Sequence, residues 1–128
     1  MIIKTFIKNT ILIVSVLSFV GCVTKKPIES KSATILLKTP NMKFYDKGFI
    51  TNYGRYIHLQ IFNVGQVVLD LEIYKDEICQ GTLQCISSKK FNSKYLDASY
   101  SDDFLYTLFS KKKVSYKDKE NKILIKVK

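Results

Sequence analysis

Tryptophan is absent from this chain, histidine occurs once (His58), and there are only two prolines and five glycines. Each shortage closes off a class of function. Without tryptophan the Cys-Trp-Cys hallmark of antibody domains cannot be built. With a single histidine there is no HExxH helix. With so few glycines there is neither a phosphate-cradling glycine loop nor a GxSxG nucleophile elbow. Acidic residues are also scarce. Eleven stand against 21 lysines and arginines, for a formal charge of +10. A chain this basic meets anionic partners first: lipid headgroups, lipopolysaccharide or cell-wall polymer. The plainer reading of the same charge is that scattered lysines keep a small β protein soluble.

What is present is concentrated at the start. Lys4 and Lys8 form a positive n-region, Ile11 to Val20 an apolar run broken only by Ser15 and Ser18, and Gly21-Cys22 follows. That order is the design of a secretory signal. A membrane anchor is the alternative, but a span needs about 20 apolar residues and this run has half of that. Val20-Gly21-Cys22 resembles the lipobox of bacterial lipoproteins, with Phe19 where leucine is usual. The resemblance implies that residues 1–21 are a signal peptide and that Cys22 becomes an acylated N-terminus. Residues 22–31 are then a lipidated tether and 32–128 the domain. Val23, rather than Asp, after Cys22 implies the outer membrane under the enteric sorting pattern, and the periplasmic side is the expected facing. Loss of Lys4 and Lys8 takes the 21 basic residues to 19 against 11 acidic ones, leaving +8.

With Cys22 assigned to lipid, Cys79 and Cys85 form an even pair in an exported domain, which predicts a disulfide. Gly81 between them permits a tight turn. Chain-entropy arithmetic gives so small a ring roughly 2 kcal/mol. A zinc site would draw four ligands from Cys and His, and only His58 is at hand. The spacing also excludes a redox CxxC.

The remainder reads mainly as β. Ala33 to Lys38 is an expected strand, stopped at Thr39-Pro40-Asn41. Met42 to Tyr45 and Phe49 to Thr51 flank Asp46-Lys47-Gly48, read as a hairpin turn. Turns follow at Asn52-Tyr53-Gly54 and Asn63 to Gln66. Between and after them, Ile57, Leu59 and Ile61 alternate with polar residues, as do Val67, Leu69, Leu71 and Ile73. Ser87 caps an expected helix from Ser88 to Leu96. Ser101-Asp102-Asp103 opens a second, with Phe104, Leu105, Leu108 and Phe109 at helical spacing and Lys111 to Lys113 at its negative end. Val114 to Tyr116 and Lys122 to Val127 form the last hairpin. About seven short strands with one or two helices before the C-terminal hairpin predict a small antiparallel β-sandwich.

No catalytic constellation emerges. His58 lies on the polar face of a strand. Asp102-Asp103 is explained as a helix start, and Lys111 to Lys113 as a helix end. The aromatics and lysines from Lys89 to Tyr106 sit at core spacing, so no nucleic-acid partner is expected. The run from Cys79 to Cys85, Lys90-Phe91-Asn92, Tyr95-Leu96, Ser101 to Leu105, Leu108-Phe109 and Lys122 to Val127 resembles small lipoproteins of ε-proteobacteria. The resemblance implies an immunoglobulin-like sandwich variant without enzymatic activity or cofactor. The expected function is that of a membrane-anchored, non-catalytic binding or scaffold module, partnered by an envelope protein or the cell wall. A surface-exposed adhesin is one alternative. An inhibitor of an envelope hydrolase is another, although a basic lysozyme calls for an acidic inhibitor surface.

Overall fold

The computed structural model describes residues 21, 26–81 and 84–128. Eight strands are ordered β1 (Glu29–Thr39), β2 (Met42–Asn52), β3 (Ile57–Asn63), β4 (Gln66–Ile73), β5 (Glu77–Gln80), β6 (Gln84–Ser87), β7 (Ser115–Asp118) and β8 (Ile123–Val127). Two short helices, α1 (Ser88–Tyr95) and α2 (Phe104–Ser110), sit between β6 and β7. The protein is therefore mainly β, with both helices before the last hairpin, as the patterning predicted. All eight strands join one antiparallel sheet in the order β6-β5-β4-β3-β2-β1-β8-β7. The ladder is one continuous eight-stranded sheet, and the immunoglobulin-like sandwich expected from the sequence is not shown by it. The helical segment contributes to the same core.

One face of the sheet makes the core. Ile35 and Leu37 on β1, Ile57, Leu59 and Ile61 on β3, Leu69, Leu71 and Ile73 on β4, and Ile123 and Ile125 on β8 are all buried. Phe91 from α1 and Leu105, Leu108 and Phe109 from α2 pack into the same cluster. Full burial of each such side chain stabilises by roughly 1.5–3 kcal/mol. Ser87 caps α1 by accepting from the Lys90 amide at 3.2 Å. The Asn92 side-chain amide, buried on α1, donates to the Ser101 carbonyl at 2.9 Å and ties the two helical segments together.

Several local expectations are corrected. No turn exists at Asp46-Lys47-Gly48, because β2 runs straight through it. The hairpin turn is Pro40-Asn41, and Gly48 answers a different need. A Cβ there would lie 2.1 Å from the Gln60 carbonyl oxygen and 2.7 Å from Ile35 Cδ1, so only glycine fits between β3 and the core. β1 starts at Glu29, inside the stretch expected to be tether, since Glu29 to Lys31 pair with Asn52 to Ile50. The second helix begins at Phe104. Its N-cap is Asp103, which makes no side-chain capping bond, and Lys112 and Lys113 lie beyond its end. Val67, expected inward with Leu69, is 48% exposed. A register shift at Ile61/Phe62 pairs Ile61 with Leu69 but Phe62 with Val67. That adds Val68 to β4 as an extra residue and turns Val67 outward.

Candidate functional site

The expected disulfide is present. Cys79 and Cys85 stand directly opposite on β5 and β6 and are bonded. Cys22 and the apolar run before it lie outside the described residues. Among the described residues, no helix is long and apolar enough to cross a membrane. His58, on the outer face of β3, meets Asp70 of β4 with Nε2 2.6 Å from Oδ1. Both are partly exposed and face each other across one ladder, which is a structural pair. Asp102 and Asp103 are exposed, and among the described residues nothing basic or nucleophilic bonds to their side chains. The Glu77 carboxylate gathers with the sulfurs of Cys79 and Cys85 within 4.8 Å. With the two sulfurs bonded to each other, only one anionic donor remains there.

Sequence reasoning did not foresee the surface that the strand register builds. On the outer face of β2-β1-β8-β7, cross-strand partners form rows. Lys43 of β2 stands opposite Lys38 of β1, Lys38 opposite Leu124 of β8, and Leu124 opposite Lys117 of β7. The next row is Tyr45, Leu36, Lys126 and Ser115. In the third, Lys47 faces Thr34, whose backbone bonds in both directions to Lys128. Six lysines thus occupy a patch of roughly 14 by 13 Å. The acids nearest in sequence, Asp46 and Asp118, follow the inward alternation. Asp46 accepts from the Asn63 side-chain amide at 3.1 Å, and Asp118 accepts from Tyr100 and Asn121. The only ion pair among the described residues is His58–Asp70, so none of these lysines has a carboxylate partner. Like charges placed directly opposite in a ladder oppose folding, and Lys38–Lys43 is such a pair.

Two hollows open on this face. One, of about 460 Å³, is lined by Ser32, Thr34, Lys47, Phe49, Phe62 and Lys128 among others. The other, of about 280 Å³, lies at the β7–β8 turn and is lined by Lys38, Lys117, Lys119 and Lys122 together with Asp118, whose carboxylate is taken up by Tyr100 and Asn121. Aromatic side chains border the first. Phe49 and Phe62 meet edge to face at 5.7 Å, and Tyr45, further along the same face of β2, is 58% exposed. The signal in the sequence was Lys43-Phe44-Tyr45-Asp46-Lys47, where lysine and an outward aromatic alternate at strand period. Reading a hairpin turn at 46–48 broke that period.

A second aromatic group closes the far end of β3 and β4. Tyr53, Tyr56 and Tyr74 stack at 4.9 and 5.0 Å, and the Tyr74 hydroxyl donates to Glu72 at 3.3 Å. Burial, then the charge of Glu72, holds the Tyr56 and Tyr74 hydroxyls above the ordinary tyrosine pKa. Tyr106 donates to the Gly54 carbonyl, and Lys75 lies 5.4 Å over the Tyr106 ring. These groups satisfy one another and lock the turn at Gly54 to α2.

Comparison with family models, with curated proteins and with solved structures gives no match for this chain.

Proposed function

We propose that the protein is a lipid-anchored component of a bacterial envelope, of the small outer-membrane lipoprotein type, whose sheet domain is a non-catalytic binding module for an anionic envelope component. The observation that carries the binding half is the outer face of β2-β1-β8-β7. There the register gathers six lysines, sets Lys38 against Lys43, and supplies no carboxylate to balance them. A fold tolerates such self-repulsion where a ligand's negative charge offsets it. The anchoring half rests on Gly21-Cys22 after the apolar run Ile11 to Val20. Periplasmic facing is part of the same reading.

Two measurements test it. Cys22→Ser should move the protein from the membrane fraction to the soluble fraction, and retention on membranes would remove the anchor. Binding of purified, lipid-free protein to isolated envelope material should fall steeply as salt rises. It should also be lost when Lys38, Lys43 and Lys126 are changed to Glu. Binding indifferent to both would remove the lysine face from the function.

A further inference from the structure

We propose that the lysine face lies against the anionic bilayer itself, with the β3–β4 hairpin tip set among the lipid headgroups; this rests on the anchored reading above and names the partner of its binding face. The argument begins with exposed apolar surface. Seven large apolar side chains are exposed among the described residues, and five of them gather at one corner: Tyr45, Phe49, Val64, Val67 and Val68. The register explains the gathering. Gly48 pairs with Ile61, and the same register carried onward sets Asn63 beside Asp46, where their side chains bond. It then sets Val64, at the tip, beside Tyr45. Phe49 touches Phe62, and Phe62 pairs with Val67.

Val64 is the most telling of these. It occupies the first central position of a two-residue turn with φ 50°, and Gly65 follows with φ 75°. Both values are positive, as in a type I′ turn, where Asn-Gly is the favoured pair. A β-branched residue is a poor choice for that backbone. Its side chain is also 96% exposed, so folding gains nothing from burying it. A strained backbone carrying a fully exposed apolar group points to use of that group outside the fold.

Charge identifies the surface that would receive it. Lys43 and Lys47 flank Tyr45 on β2, and Lys38, Lys126 and Lys128 stand on the adjoining strands. An apolar tip ringed by lysines matches an anionic lipid interface, in which the apolar groups enter the headgroup layer and the ammonium groups meet phosphate.

The chain has no tryptophan, so one introduced tryptophan reports this corner alone. Full-length lipidated protein carrying Tyr45→Trp, and separately Val64→Trp, is mixed with phosphatidylcholine vesicles and with vesicles containing phosphatidylglycerol. Cosedimentation and emission are both read. The expected result is cosedimentation with both vesicle types, with a blue shift and loss of acrylamide quenching only on the anionic ones. Lys38→Glu with Lys43→Glu and Lys47→Glu should abolish the shift. These positions point outward, and far-ultraviolet circular dichroism checks that the variant is folded. Cosedimentation with both types and no shift on either keeps the anchor and overturns the docked face. Cosedimentation with anionic vesicles alone, accompanied by the shift, supports the face and overturns the anchor. Cosedimentation with neither overturns both. A shift produced by isolated peptidoglycan but by neither vesicle assigns the face to cell-wall glycan and overturns the bilayer contact.

Discussion

Replacing Gly48 by alanine should unfold much of this protein's stability margin with a single methyl group. The added Cβ would sit 2.1 Å from the Gln60 carbonyl oxygen and 2.7 Å from Ile35 Cδ1. The first neighbour is backbone of β3, so it cannot rotate away. Ile35 is completely buried, so its methyl has nowhere to go. Relief therefore requires β2 and β3 to separate locally. Overpacking of this kind costs about 1–3 kcal/mol. Weakening one ladder hydrogen bond adds about 0.5–1.5 kcal/mol. Alanine returns about 0.4–1 kcal/mol by restricting the unfolded chain. The net expectation is a loss of about 2–3 kcal/mol, out of the roughly 5–15 kcal/mol typical of a domain this size. In urea the midpoint should fall while the slope stays constant. In a thermal scan the loss should appear as a drop of at least about 8 °C. Lys47→Ala, one residue away and exposed, is the control and should shift stability by less than about 0.5 kcal/mol. If Gly48→Ala were as stable as the parent, the close approach of β2 to β3 would be wrong, and with it the register that carries the hairpin tip toward β2.

Three other perturbations follow from the same structure. Val64→Asn relieves the turn backbone and, losing no buried contact, should raise stability by about 1 kcal/mol; in the vesicle experiment the same variant should weaken interface contact, and a stability loss would contradict the type I′ assignment. The double change Cys79→Ser, Cys85→Ser should cost about 2 kcal/mol by the chain-entropy argument, read as a lower urea midpoint that reducing agent no longer affects, whereas an unchanged midpoint would mean that β5–β6 is already open in the folded ensemble. Acid stability should depend on Tyr100. Hydrogen bonds from Tyr100 and Asn121 hold the Asp118 carboxyl below the usual range, so its contribution is present above the unfolded value of about 3.9 and fades as pH falls through the folded one. Burial, then the bond to Asp118, holds the Tyr100 hydroxyl above its ordinary value, so that contribution is present below about pH 10 and fades at higher pH. Tyr100→Phe should flatten both arms of the stability–pH curve, and an unaltered acid arm would deny the pairing.

Local chemistry made much of the fold legible. Alternation alone identified the buried faces of β3 and most of β4, because one side of each strand meets water and the other meets helix. Ser87 was readable as a cap, since its hydroxyl needs only the next turn of backbone to do its work. The cysteine pair was readable because six residues and a glycine leave little choice of geometry. Gly48 was misread for a physical reason. A glycine following Asp-Lys has the same local signature whether it bends the chain or admits a neighbouring strand, and only the neighbour distinguishes the two. The mainly β class was legible, but the way the sheet is covered was not. The strand pattern says which side of each strand is apolar, but not whether a second sheet or a helical segment covers it. Val67 was displaced by a register shift opposite Phe62, an event decided between strands.

The candidate site lies wholly in that between-strand information. Lys38, Lys43, Lys47, Lys117, Lys126 and Lys128 are spread over ninety residues, and composition reports them only as excess positive charge. Scattered over a surface, such charge serves solubility. Aligned by register on one face, the same six charges repel one another, and each then favours any anion that reaches them all. The sheet order β2-β1-β8-β7 makes this alignment, because it sets the C-terminal hairpin beside the first one. A single substitution separates the two readings of the charge. Lys43→Glu would place a carboxylate opposite Lys38 and should stabilise the isolated domain by a few tenths of a kcal/mol, up to about 1. If the lysines serve solubility alone, envelope binding is indifferent to this change. If they form one anionic-partner surface, the more stable variant binds less well, and that inverse relation is the signature to look for.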